Sequence, residues 1–505
     1  MRELCIFILC AVVAVCAQTL AGPKHGKNVV CYVATWAAYR PEPGKFNLDN
    51  LEPALCTHLV YSFAGLNATS NTIRSLDAWQ DLEINYGLAG YKRLVGLKQK
   101  YPHLKVTLAI GGWNEGSPNY SNMASKPESR AIFIQSVLLM LDNYKFDGLD
   151  LDWEYPTKRE GKPADRDNFV QLVKELSEAF QPRGYILTAA LGAGLSTMES
   201  AYDLAKLSRH LDLIHIMAYD YHGTWDLVVG ANAPLKGGSP DDVLSVEFTV
   251  DYMINHGVSP YKMVLGLPMY GRTFLLKNPD TRVLEFGSTP VESVGFKGPY
   301  TGEAGFMGYN EICTEANNKS SPWVYHWHEQ TSTPYLRDGK RVISYDNGRS
   351  IAIKVKYAID KELGGLMVWS IDTDDFKGKC QETDSYIDFT ERHQKMLKDP
   401  LTMKAAQNLN LLDVNQISTR GAHYVLKDNS LDLRLPVPKY SNYALMQTID
   451  GAISLALEEK KIEDELMRLT KENEITKDDK KTNSGLILRS SPIAVLVFMT
   501  SICWF

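Results

Sequence analysis

Between residues 28 and 372 the chain repeats a simple pattern, a short apolar run rich in Val, Ile, Leu or aromatic residues followed by a longer and more polar stretch. Eight such runs occur, at 29–34, 58–63, 106–110, 148–152, 186–191, 213–219, 263–267 and 365–369. Most of the intervals are long enough to hold a helix, so strand then helix repeated eight times predicts an α/β chain folded as a parallel (β/α)8 barrel of the TIM type. The seventh interval is anomalous, with roughly a hundred residues between 267 and 365 that include Gly-, Pro- and aromatic-rich stretches and an alternating segment at 323–327. A structureless loop of that length inside a compact domain is rare, which predicts a small inserted α+β subdomain over about 270–362, between strands 7 and 8.

The ends of the chain break the pattern. Residues 1–17 carry an early Arg, an apolar run and small residues suited to cleavage after Ala17, the order of a secretory signal peptide. The barrel is expected to fill 28–392, and the polar stretch 393–482 is expected to be a spacer. Within it Ile462, Leu466 and Leu469 fall at helical spacing, which reads as a solvated charged helix in preference to a partner-binding one. The last apolar run, 493–505, is too short to span a bilayer and follows Asn483-Ser-Gly485 and a short link containing Arg489. That order resembles a signal for glycosylphosphatidylinositol (GPI) attachment over 483–505, with Asn483 as the attachment site and the outer cell surface as the location.

Composition narrows the reading. With 505 residues and 44% hydrophobic content the chain can bury a large core and should be globular. Lys and Arg total 54 against 60 Asp and Glu, and no basic cluster stands out, so no nucleic-acid partner is expected. Removing the signal segment takes away Cys5, Cys10 and Cys16, leaving Cys31, Cys56, Cys313, Cys380 and the far Cys503. Four body cysteines allow two disulfides. Sequons at Asn67, Asn119 and Asn318 agree with an extracellular, glycosylated protein.

The most informative stretch is 146–155, FDGLDLDWEY. Strand side chains alternate between faces, so Asp150, Asp152 and Glu154 share one face while Leu149, Leu151 and Trp153 take the other, against the outer helices. Three carboxylates then point into the barrel at its C-terminal end, where sites on this fold are built. Crowding like charges in a buried place keeps a proton on at least one of them near neutral pH. A protonated carboxyl is what departure of a glycosidic oxygen needs. Asp147 has the wrong parity and is assigned a structural role.

The pattern Asp-x-x-Asp-x-Asp-x-Glu, here 147–154, resembles the signature of the family eighteen chitinases. Further matching segments stand in order at 31–36 (CYVATW), 111–114 (GGWN), 217–220 (MAYD), 270–272 (YGR) and 367–369 (MVW), so the resemblance covers about 28–392. It implies a secreted, endo-acting glycoside hydrolase that degrades chitin or chitooligosaccharides by substrate-assisted catalysis with retention, through an oxazolinium ion and without an enzyme nucleophile. It assigns Glu154 as acid and then base, Asp152 as the holder of the acetamido N–H, Asp150 as its proton partner and Tyr219 as donor to the acetamido oxygen. Substrate contacts carried over are Tyr32, Trp36, Trp113, Asn114, Met217, Asp220, Tyr270, Arg272, Met367 and Trp369. Cys31–Cys56 and Cys313–Cys380 are the disulfides that the resemblance supports.

No metal and no cofactor are expected, since His326 and His328 lack further ligands and His215 reads as an interior histidine. A monomer is expected. Trp225 and Trp323 are left unassigned. A non-catalytic chitin-binding lectin or growth-factor-like protein of the same fold, and an endo-β-N-acetylglucosaminidase acting on glycoproteins, stand as alternatives.

Overall fold

In the computed structural model the residues described are 21–380 except 240 and 319, 391–409 except 393, 394, 396 and 397, then 423–427, 430–434 and 442–487. The signal segment 1–17 and the apolar run 493–505 lie outside them, and Asn483 is described only as backbone in the last turns of the helix Ala444–Ile487.

All eight apolar runs are strands. In chain order they are Asn28–Ala34, His58–Asn67, Lys105–Gly111, Gly148–Asp152, Ile186–Gly192, Leu213–Met217, Met263–Pro268 and Gly365–Trp369. Each pairs in parallel with its neighbours, and the first strand pairs with both the second (Val30 beside His58) and the eighth (Asn28 beside Gly365), which closes the sheet into a barrel. Parallel strands covered on both faces read as continuous apolar runs, because one face packs inside the barrel and the other against helices. Those helices include Gly90–Gly96, Pro127–Tyr144, Asp165–Phe180, Leu204–His210, Val246–Asn255 and Gly348–Asp360, following strands 2 to 7.

The long seventh interval holds an inserted subdomain as expected, but its last strand ends at Ser344 and not near 362, because Gly348–Asp360 is the outer helix that follows the seventh strand. Tyr270–Leu275, Phe306–Gly308, Val324–His328, Thr333–Asp338 and Arg341–Ser344 form one five-stranded antiparallel sheet, accompanied by the helix Tyr309–Asn317. Its small core gathers Val229, Phe274, Leu276, Val291 and Val342. The alternating segment is its edge strand, where His326 stacks on Tyr335 and His328 on Phe286. Cys31 is bonded to Cys56 and Cys313 to Cys380, the second bridge tying this subdomain to the chain beyond the eighth strand. The sequon asparagines lie at element ends: Asn67 closes the second strand, Asn119 opens the helix Pro118–Ala124, and Asn318 caps the helix Tyr309–Asn317.

Past the barrel the structure departs from the expectation of a polar spacer. Residues 442–457 belong to the same compact unit as the barrel, and a second compact unit is built from 391–409, the hairpin 423–434 and the helix from 458 onward. In that second unit Ile462 and Leu469 are buried with Ala405 and Ala406 of the helix Pro400–Asn408, so they do not lie on a solvated face. The small alanines let two helices approach closely, and Asn408 donates to Glu465 at 2.9 Å beside them. No described helix is long and apolar enough to cross a membrane.

Candidate active site

The fourth strand delivers its side chains as alternation requires. Leu149, Leu151 and Trp153 are buried on the outer face, with the Trp153 ring edge-on to Phe169 of the helix Asp165–Phe180 at 5.8 Å. Asp147, one step before the strand, accepts from Lys98 at 3.0 Å and from the Val106 amide at 2.7 Å, and so fastens the start of the third strand.

On the inner face Asp150 is fully buried. It accepts from Tyr32 Oη at 2.7 Å and Thr188 Oγ1 at 2.6 Å, and His215 Nδ1 lies 3.0 Å away. Burial alone would raise its pKa, but the charge and hydrogen bond of His215, with the hydrogen bonds of Thr188 and Tyr32, bring it below the usual carboxylate value. Asp152 is the opposite case. Burial, then the charges of Glu154 and Asp150, holds it well above the ordinary value. Its Oδ1 is buried with no hydrogen-bond partner in the protein. An orphaned buried acceptor calls for an explanation, and an incoming N–H donor would supply one.

Glu154 follows at the mouth. Burial raises its carboxyl to about 7 with help from Asp220, against the opposing hydrogen bond of Tyr155 and the charge of Arg159. Arg159 donates to the carbonyls of Trp113 at 2.7 Å and Glu154 at 3.1 Å, and its guanidinium lies 3.6 Å over the Trp113 ring. The end of the strand is thereby pinned to an aromatic from the neighbouring strand's loop. Glycine serves the same close approach: Gly111 has φ +118°, and a Cβ there would stand 2.1 Å from the Asp152 carbonyl oxygen.

Aromatic rings form the next layer. Trp369 stacks on Phe63 at 5.7 Å, meets Tyr32 edge-on at 5.5 Å and lies 6.1 Å from Trp36, which itself stacks on Phe63 at 6.0 Å. Trp36 and Trp113 are largely exposed, as platforms for a ligand would be. Met367 and Tyr219 share the buried cluster under Trp369, where the Tyr219 hydroxyl has Met367 Sδ as a distant neighbour at 3.9 Å. Room for them depends on Gly266, since a Cβ there would come within 2.9 Å of the Tyr219 ring. Tyr270 and Arg272 both donate to Asp220 Oδ1 at 2.7 Å, and Met217 packs at the edge of the same cluster. Asn114 is exposed beside Trp113.

Several participants escaped the sequence. Phe63 ends a run that was visible as a strand, but nothing marked its ring as Trp369's partner. Asn232 orders the Asp220 amide at 3.1 Å and the Tyr270 carbonyl at 3.3 Å from a loop without periodicity. Trp225, left unassigned, is exposed with the Arg272 guanidinium 5.1 Å from its ring. His215 uses Nδ1 on Asp150 and Tyr32 while its buried Nε2 has no partner.

Comparison with known proteins decides the family. The profile described as glycosyl hydrolases family 18 matches residues 28–374. The chain belongs to that family. Within the family it is 51% identical over 407 residues to "Probable chitinase 2" of Drosophila melanogaster, covering 79% of this chain and 81% of the relative. A group IV chitinase of Ostrinia furnacalis, solved with allosamidin, superposes with a TM-score of 0.67 at 40% identity over 72% of this chain and 98% of that one. Human YKL-39, described as a pseudo-chitinase that retains chitooligosaccharide binding, superposes with a TM-score of 0.63 at 34% identity over 72% and 99%. The family 18 fold thus accommodates both outcomes.

Proposed function

We propose that this protein is a secreted chitinase that cleaves β-1,4-linked N-acetylglucosamine polymers, endo-acting, with retention of configuration. The observation that carries the reading is the pairing of a carboxyl near pKa 7 at Glu154 with the buried, unpartnered Oδ1 of Asp152. A sugar seated over Trp369 would place its acetamido N–H on Asp152 and its acetamido oxygen within reach of Tyr219. Glu154 gives its proton to the departing glycosidic oxygen as the C1–O bond breaks and the acetamido carbonyl oxygen closes on C1. The resulting oxazolinium carries one positive charge beside the Asp152 carboxylate, which Asp150 helps to hold. Water then adds to C1, giving up a proton to Glu154, and the ring opens with the original configuration restored.

The presence of Glu154 and Asp152 together favours hydrolysis over a binding-only role. The experiment is incubation of the mature protein with chitotetraose and, separately, with an N-glycosylated protein, the first-formed anomer being read by proton NMR. β-Anomer from chitotetraose, inhibited by a thiazoline analogue of the cyclic ion, is expected. Binding without cleavage would make it a lectin, and glycan release alone would make it an endo-β-N-acetylglucosaminidase.

Sequence order further supports export through the 1–17 signal and lipid attachment near Asn483. Phosphatidylinositol-specific phospholipase should release the activity from intact cells. Activity already soluble in a chain that keeps Phe505 would refute the anchor.

A further inference from the structure

Barrel strands 2 to 7 are each followed in sequence by an outer helix; after the eighth, Gly365–Trp369, the first helical residues among those described, Glu391 and Arg392, belong to the second compact unit. Among the described residues the chain leaving Trp369 makes one short turn, Ile371–Thr373, and reaches Cys380 without a helix. In a (β/α)8 barrel the helix after the last strand covers the seam between the eighth and first strands, and an uncovered seam would expose the outer face of both.

The start of the helix Ala444–Ile487 meets the chain on both sides of that seam. On the side of the eighth strand, the Leu445 and Met446 amides donate to the two carboxylate oxygens of Asp374 at 3.2 and 2.9 Å. The Tyr443 amide donates to the Asp375 carbonyl at 2.6 Å, and Asn442 Nδ2 to the Phe376 carbonyl at 3.2 Å. On the side of the first strand, Tyr443 Oη donates to the Asn50 carbonyl at 2.6 Å, and Asp450 stands 3.5 Å from the buried His25 that precedes Asn28. Leu445, Met446, Ile449, Ala452, Ile453, Leu455 and Ala456 are buried to 1% exposure or less. The first amides of a helix lack partners within it, and a carboxylate supplied from elsewhere in the chain fills that need while also meeting the positive end of the helix dipole.

The same short segment reaches the cleft. Trp369 begins it; Asp372 Oδ1 accepts from the Ala34 amide at 3.1 Å and Asp372 pairs with Arg40 at 2.7 Å; Asp374 then receives the helix. One side of the segment is fastened to the first strand and the other to residues 444–446.

We propose that residues 444–457 are the eighth outer helix of the barrel, returned to its place from beyond the interposed stretch 381–442, and that Asp374 is the positioning residue through which this helix holds the Trp369 segment. The helix assignment stands apart from the activity, whereas the effect on Trp369 rests on the chitinase reading. The two therefore need separate readouts. The catalytic unit on this view ends near Leu457 and not where the match to the family profile stops, at 374.

The test is amide hydrogen exchange on the full-length protein, alone and with Asp374→Ala or Asp374→Asn, together with melting temperature and steady-state kinetics on chitotetraose. In the unaltered protein 444–457 should exchange in the same slow class as 28–34 and 365–369. Asp374→Ala should speed exchange at least tenfold in all three segments together, lower the melting temperature, and raise KM several-fold with kcat changed less than twofold. Asp374→Asn, which keeps one acceptor oxygen, should recover part of each loss, and it carries the measurement if the alanine form does not accumulate. Fast exchange of 444–457 in the unaltered protein overturns the helix assignment whether or not the protein cleaves chitotetraose. Acceleration confined to 444–450, with barrel strands, melting temperature and KM unmoved, overturns the role of Asp374.

Discussion

Two acidic runs leave the C-terminal ends of barrel strands, and they behave differently. Asp150, Asp152 and Glu154 continue the fourth strand, and Asp372, Asp374 and Asp375 follow the eighth. Both runs are buried, and each contains a carboxyl raised to about 7, Glu154 in one and Asp374 in the other, with burial as the chief cause. A raised pKa therefore does not separate a catalytic carboxyl from a structural one. Partners do. Asp374 has both oxygens engaged by backbone amides, and Asp375 accepts from the Lys379 amide on one oxygen and the Cys380 amide on the other, so no oxygen of either stands without a partner. Asp152 keeps one buried oxygen without a hydrogen-bond partner, which the proposed mechanism gives to the sugar's acetamido N–H.

The sharpest way to break this comparison is substitution by amides. Glu154→Gln should lower kcat by roughly 10² to 10⁴ while sugar binding persists, because the amide keeps the shape but cannot transfer the proton. Unchanged turnover would remove Glu154 from the chemistry. Asp152→Asn should cost about 10² to 10³ in kcat, because an amide cannot become the anion that the developing positive charge calls for, measured on the same substrate.

In the second run Asp374→Ala should act on stability instead, by about 2 to 4 kcal/mol from lost caps and unsatisfied amides, read from denaturant unfolding. The smallest effect is that of pH. With protonated Glu154 as the acid of the proposed mechanism, kcat/KM should be level below about 7 and fall about tenfold per unit above it. Stability follows the same sign: a carboxyl with its folded pKa raised contributes stability that is fully present below its unfolded value, near 4, and lost as pH rises through about 7. The melting temperature of Glu154→Gln should accordingly decline less between pH 5 and pH 8 than that of the parent, to a degree that calorimetry can resolve.

How much of this could be read in advance depended on whether periodicity determines a residue's place. All eight strands were legible because their residues are buried on both sides, and the roles proposed along 150–154 were legible because strand alternation sorts neighbours without reference to anything distant. Arg159, Asn232 and Phe63 were not, since each acts through a partner that its own stretch of sequence does not mark, Trp113, Tyr270 and Trp369 respectively. The helix beginning at Ala444 was missed for another reason. Its apolar stripe at Leu445, Ile449, Ala452 and Ala456 is clear, but averaging it with the charged residues from Glu458 onward made the whole stretch look like a linker. The buried Ile462 and Leu469 were hidden in the same average.

The strict alternation of the fourth strand also constrains how such a protein can evolve. A single substitution at Glu154 leaves the barrel, the aromatic floor and the Asp152 acceptor in place, so a hydrolase is one step from a protein that only holds the sugar. An insertion or deletion of one residue within Gly148–Asp152 has no such neighbour, because it turns Leu149 and Leu151 into the barrel and drives Asp150 against the helices. Lineages carrying this strand can thus lose catalysis in one step and repeatedly, yet its length should hardly vary among their descendants.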